Sequence, residues 1–160
     1  MSADAPIRVL SVITLDARSI SPGTADQEHE RAIALYDLNE DNSIAIPGHA
    51  GGPYALRIAL AEARLVFEIT LLGGEPVVTH HLSLTPFRRL LKDYFMVCES
   101  YYSAIRTASP SHIEAIDMGR RGLHNDGAHL LSERLAAKLL IDFDTARRIF
   151  TLITALHWKG

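Results

Sequence analysis

The chain has 160 residues, 48% of them apolar and 22% charged, with a net charge of −3. That length and mixture suit one domain spanning 1–160 that buries its own core, and they exclude a disordered or low-complexity chain. A lone cysteine, Cys98, excludes an internal disulfide and any multi-cysteine zinc site, and it fits a reducing, cytoplasmic setting.

MSADAPIRVL lacks the basic-then-apolar pattern of a secretory leader, and no run approaches 18 apolar residues, so neither a leader nor a membrane span is expected. The charge is uneven. Residues 1–50 carry eight acids and three bases, whereas residues 51–160 carry eleven acids and thirteen bases. The halves are therefore about −5 and +2, and the second is too weakly basic to suggest a nucleic-acid binder.

IRVLSVITL (7–15) is rich in β-branched residues and reads as a strand, but neither alternation phase identifies its inner face. Thr24 or Asp26 caps a helix running to about Asn39, with Arg31, Ala34, Leu35 and Leu38 on one flank. Asp41 to Pro53 reads as a loop from its Gly and Pro content. From Tyr54 the period becomes two, giving strands at about 54–60 and 64–71, and Gly73-Gly74 leads to a third from about Pro76 to Leu84. Short connections make these three an antiparallel meander.

The second half is helical. Thr85 as cap and Pro86 at the first helical position open a helix whose stripe includes Phe87, Leu91, Tyr94, Cys98, Tyr101, Tyr102 and Ile105. Ser109 and Pro110 start another, and Gly119, Gly122 and Gly127 predict a break near Leu123–Gly127, with a shorter helix over Ala128–Ala137. Asp142 or Asp144 caps the last helix, whose stripe runs from Phe143 through Ala146, Ile149, Phe150 and Ile153 to Leu156. The expected fold is α+β: a small, mostly antiparallel sheet of about four strands, with helices of the C-terminal half packed on one face.

Three arginine doublets dominate the candidate sites: Arg88-Arg89, Arg120-Arg121 and Arg147-Arg148. A cation near a helix start opposes the dipole there, so an anion or an acidic side chain is expected nearby. Thr85–Lys92 unites free helix N–H groups with Arg88, Arg89 and Lys92, a pattern suited to phosphate or carboxylate. The acidic first fifty residues are the expected internal alternative. Arg147-Arg148 has local acids in DFDTARR. On a helix Asp117 meets Arg121 and Arg120 meets His124, so acid, guanidinium and imidazole could hold an anion and move a proton. The anion-binding candidates are therefore Arg88, Arg89, Arg120 and Arg121, and the catalytic candidates Asp117, Arg121 and His124. The same spacings also describe an ordinary salt-bridged face.

Eight histidines carry no H-x-x-x-H or H-E-x-x-H spacing, so no metal and no cofactor is expected. On the third strand His80 falls on the apolar face and His81 on the other. PGHAGGP (47–53) is neither a Walker loop nor a dinucleotide fingerprint and reads as a surface loop, and Cys98 on an apolar stripe reads as inert.

The segments EHERAIA (28–34), GHAGGPY (48–54), THHLSLTPFRR (79–89), VCESYY (97–102), IEAIDMGRRGLHN (113–125) and DFDTARRIFTLI (142–153) resemble those of a UPF-type family of unknown function, found mainly in alphaproteobacteria. The resemblance covers about residues 7–160 and implies a bacterial cytoplasmic protein, without an activity or catalytic residue to carry over. The residues themselves favour a non-enzymatic binding or regulatory module, self-associating or contacting a small anion or an acidic protein partner. The alternatives are a hydrolase or transferase acting on a phosphorylated small molecule through Asp117, Arg120, Arg121 and His124, and a weak RNA binder.

Overall fold

The computed structural model describes residues 7–159. In chain order the elements are β1 (Leu10–Leu15), α1 (Ala25–Glu40), β2 (Ile44–Ala45), β3 (Tyr54–Ala61), β4 (Arg64–Leu71), β5 (Pro76–Ser83), a 3-10 turn (Thr85–Phe87), α2 (Arg88–Thr107), α3 (Pro110–Leu135), β6 (Leu140–Ile141) and α4 (Phe143–Ala155). The main sheet has the order β1-β3-β4-β5, antiparallel except for the parallel pair β1 and β3. The fold is α+β. Helices cover one face of the sheet in the contact order α1, α4, α3, α2, so α1 from the first half joins the helices of the second.

The alternation of β3 and β4 is carried into the core without a slip. Tyr54, Leu56 and Ile58 are buried beside Leu65, Phe67 and Ile69, while Arg57 faces Glu68 on the open side. β1 behaves differently because its register with β3 shifts between Leu10 and Val12. The bulge puts Leu10 and Ile13, three residues apart, on the buried face, which is why neither simple phase of the sequence fits. The free edge of β1 is closed by amides of the α1 region. Asn39 and Asn42 each accept from and donate to the backbone of Ile13 and Leu10, respectively.

Helix ends follow their caps in three of four cases. Thr24 accepts from Gln27 N and Gln27 reaches back to Thr24 N, a complete capping box for α1. Ser109 and Asp142 accept from His112 N and Thr145 N. Thr85 does not cap α2: it sits inside the 3-10 turn, and Phe87 precedes α2 without a side-chain cap.

The expected loop at 41–53 also contains structure. Ile44, Ala45 and Ile46 are buried, and β2 pairs antiparallel with β6, since an apolar run there cannot stay in solvent without cost. The glycines beyond it serve Arg8, whose Nε and Nη2 donate to Gly51 O and Ala50 O while its stem covers Gly52, where φ is +115°. A Cβ at Gly52 would strike that stem.

The predicted break in α3 is absent; the helix is continuous from Pro110 to Leu135. Gly127 is buried, and a Cβ there would collide with the Phe150 ring, so this glycine is a packing notch for α4 rather than a helix stop. Gly119 and Gly122 face open space. Phe143, expected in the stripe of α4, is 40% exposed, while Leu152, Thr154 and Ala155 are buried because α4 packs against both α1 and α3.

The three glycines should therefore respond in opposite directions. Gly127→Ala is expected to destabilise by about 1–3 kcal/mol through overpacking against Phe150. Gly119→Ala and Gly122→Ala should each stabilise by up to about 1 kcal/mol, because Ala restricts the unfolded chain without meeting anything in the folded one. Chemical denaturation of the three variants reads this directly, and a stabilised Gly127→Ala would refute the notch.

Candidate functional site

The side chains of interest lie where α2 crosses the helix layer, at two places along its length. At its start, Arg88 stands over the ring of Trp158 with its guanidinium carbon 5.7 Å from the ring centre. Arg88, Lys92 and Lys159 surround a cavity of about 380 Å³ whose apolar lining is Leu91, Phe95, Met96 and Trp158, with Glu99 as its one acid. Arg89 is 93% exposed and reaches only Asp93, at 3.9 Å. Among the described residues neither arginine meets an acid of the first fifty. Glu28 is taken by Arg31 at 2.8 Å, and Glu30 Oε1 lies 3.3 Å from His157 Nε2 without the alignment of a hydrogen bond.

A second cleft, of about 480 Å³, adjoins the first through Phe95, Glu99 and Lys159. Its walls come from α1, α2 and α4 and include Glu30, Tyr94, Cys98, Tyr102, Thr151 and His157. Phe95 stacks on His157 with ring centres 5.3 Å apart. Burial pushes the Tyr94 hydroxyl up to about 12 and also raises the Cys98 thiol. A thiol held protonated in this way is a poor nucleophile.

Further along, Asp117 gathers both arginines of the middle doublet. Arg120 donates to Oδ1 from Nε at 3.0 Å and from Nη2 at 2.6 Å, and Arg121 Nη2 lies 2.8 Å from Oδ2. Led by the Arg120 hydrogen bond, these contacts hold the Asp117 carboxyl below its ordinary range. Arg120 also lies over Tyr101, thirteen residues along α2 from Arg88, or about 20 Å at the helical rise. The four candidate anion binders are thus split between the two ends of α2.

His124 belongs to the helix layer and is 6% exposed. Thr151 spends its hydroxyl hydrogen on Arg147 O at 3.0 Å, so its oxygen can only accept from His124 Nε2, 2.8 Å away. That fixes the imidazole as the Nε2–H tautomer and leaves Nδ1 buried without a partner, edge-on to Phe150. Burial, then the nearby Arg147 and Arg120, lower its pKa to about 4. In the last doublet, Arg148 pairs with the distant Asp41 at 3.3 Å rather than with the local acids, and Arg147 Nε is buried without a partner.

His80 is half-buried and His81 exposed, as the strand phase predicts. His49 Nδ1 accepts from Gly51 N and from the buried Tyr54 hydroxyl, which assigns GHAGGP to holding the start of β3. Among the described residues no group of three His, Cys, Asp or Glu is arranged to hold a metal ion. Two contributors carried no signal in the sequence, Trp158 and Lys159, since they follow α4 at the chain end and lie in no periodic pattern.

The model of an uncharacterised protein family, UPF0262, matches residues 7–159. The chain belongs to this family. A UPF0262 protein of Xanthobacter autotrophicus is 65% identical over 156 residues, covering 97% of this chain and 95% of the relative. Those of Azorhizobium caulinodans and Rhizobium meliloti are 62% and 58% identical, each over the full length of both chains. No solved structure matches. Membership in UPF0262 places the chain among alphaproteobacterial proteins and brings no activity with it. Among the described residues no helix is long and apolar enough to cross a membrane.

The environment of His124 has a measurable consequence. Its folded pKa of about 4 lies below the ordinary 6.5, so between those values the unfolded chain binds the proton that the folded chain rejects. Stability is complete above pH 6.5 and falls as the pH drops toward about 4, by at most roughly 3 kcal/mol. His124→Gln keeps an amide donor for Thr151 and removes the titration, so its melting temperature should fall less steeply than wild type over this range. Parallel curves would acquit His124.

Proposed function

We propose that this UPF0262 protein is a non-enzymatic, cytoplasmic binding module that holds a small acidic ligand with an apolar body at the start of α2. The observation that carries the reading is Arg88, which among the described residues has an aromatic ring but no carboxylate as its partner and shares a cavity rim with Lys92 and Lys159 above Leu91, Phe95 and Met96. Three cations supply attraction for a carboxylate or phosphate monoester, and the apolar lining supplies contact for its body. A volume of about 380 Å³ lies within the range of small-molecule pockets. The lone Cys98, with its thiol held protonated by burial, supports the cytoplasmic setting.

Group transfer at Asp117, Arg121 and His124 has less support. Both carboxylate oxygens of Asp117 are taken, and His124 is neutral at physiological pH with its one N–H given to Thr151. RNA binding has less again, because Arg120, Arg121 and Arg148 are each held by a carboxylate instead of forming an open basic stripe.

Trp158 is the only tryptophan and sits under Arg88, so its fluorescence reports occupancy. Titration with aliphatic and aromatic carboxylates and with phosphate monoesters should shift the emission, with an affinity that falls as salt is added. Arg88→Ala should weaken binding by about tenfold or more, and Arg121→Ala should leave it unchanged. An unresponsive Trp158, or equal affinities for wild type and Arg88→Ala, refutes the reading.

A further inference from the structure

α2 packs along α3, but the far half of its apolar stripe is uncovered. Near its start Leu91 is buried and Tyr94 and Phe95 are half-buried, whereas Tyr102 and Ile105, farther along the same stripe, are 64% and 51% exposed. α3 turns back along α2 but contributes no buried residue before His124. The second half of α2 and the first half of α3 therefore stand off the sheet-backed core as a helical hairpin, with Ala104 buried in it.

Charge is arranged symmetrically about the uncovered stretch. Glu99 and Arg106 are seven residues apart, two helical turns, and so lie on one flank, with their midpoint between Tyr102 and Ser103. Among the described residues neither makes an ion pair. A flank of this pattern is complementary to itself when reversed.

We propose that a second copy of this chain docks antiparallel on the uncovered half of α2, about a two-fold axis between Tyr102 and Ser103. That axis sets Glu99 against the partner's Arg106 and Arg106 against the partner's Glu99, so two ion pairs frame a contact of Tyr102 on its own copy. The same register brings the hairpin tip of each molecule, Ala108 to Pro110, beside Phe95 and Cys98 of the other. Those residues line the cleft of about 480 Å³ together with Tyr102, so each tip closes the cleft of its partner. An unrelated helix could cover Tyr102 and Ile105, but it would have no reason to present the reversed charge order.

Sedimentation velocity of the full chain across about 1 to 200 micromolar tests this. Wild type is expected to pass from the 17.6 kDa chain to twice that mass. Glu99→Arg and Arg106→Glu each replace two attractive pairs by two repulsive ones, and each should raise the dissociation constant by about tenfold or more. The double variant, E99R with R106E, restores both pairs in reversed order and should recover the dimer. Wild type that stays monomeric throughout overturns the proposal. So does a dimer that survives either single exchange, or a double variant that fails to recover.

Discussion

Arg31 ties the two halves of the chain together. It rises from α1, is 8% exposed, and donates from Nε to Ala155 O at 3.0 Å and from Nη2 to Leu156 O at 3.2 Å, so its charge closes the carbonyl end of α4. Nη1 adds Ser21 O and Glu28 Oε1, which leaves the guanidinium neutralised and widely hydrogen-bonded. The end of a helix carries partial negative charge and unpaired carbonyls, so a buried cation there satisfies two needs with one side chain. α4 is the most buried helix and packs against both α1 and α3; holding its end therefore fixes the helix layer against the sheet. Without Arg31 the Ala155 and Leu156 carbonyls would lose their side-chain donor, and a buried group left unpaired costs more than the pair itself contributes.

Apart from Arg147, whose Nε is buried without a partner, the arginines of the doublets follow the same rule, that a cation close to the fold is met by whatever negative or aromatic surface the fold brings to it. Asp117 satisfies Arg120 and Arg121 within one helix, Asp41 satisfies Arg148 across the chain, and Trp158 faces Arg88. Among the described residues, acids of the first fifty meet Arg31, Arg57 and Arg148, Glu30 lies beside His157, and none reaches Arg88 or Arg89. Proximity in sequence was a poor guide here. DFDTARR contains two carboxylates, yet Asp142 is committed to capping α4 and Arg148 turns to Asp41 instead.

What could be read from the sequence follows the reach of the interaction responsible. Alternation in β3 and β4, the capping of α1, α3 and α4, and the i,i+4 pairing of Asp117 with Arg121 depend on near neighbours, and they stand as expected. The bulge of β1, the burial of Ile44 to Ile46 and the notch at Gly127 depend on partners elsewhere in the chain. Gly127 is the clearest case. Its helix propensity argues for a break, but contact with Phe150 outweighs the roughly 1 kcal/mol that glycine costs in a helix. His124 likewise reads as a surface partner of Arg120 until Thr151 and Phe150 arrive from α4 to bury it. Trp158 could not be assigned to the cavity at all, since only the tertiary fold returns the chain end to the start of α2.

The length of α2 explains why the cavity and the uncovered stripe can coexist. Twenty residues span about 30 Å, more than the body beneath them covers, so one end closes on Trp158 while the other projects. Antiparallel pairing about the axis between Tyr102 and Ser103 moves the two Arg88 cavities away from each other. Arg88 lies about 14 residues from the axis, roughly 21 Å along the helix, so the cavities of a dimer are separated by roughly 40 Å. No small ligand can bridge that distance. The cations of each cavity, Arg88, Lys92 and Lys159, are gathered with Trp158 within one chain. The cleft is the opposite case: its Phe95, Cys98 and Tyr102 lie beside the proposed axis, where a second copy would cover it. Under the two proposals α2 divides its apolar stripe between a ligand at its first turns and its own duplicate at its last.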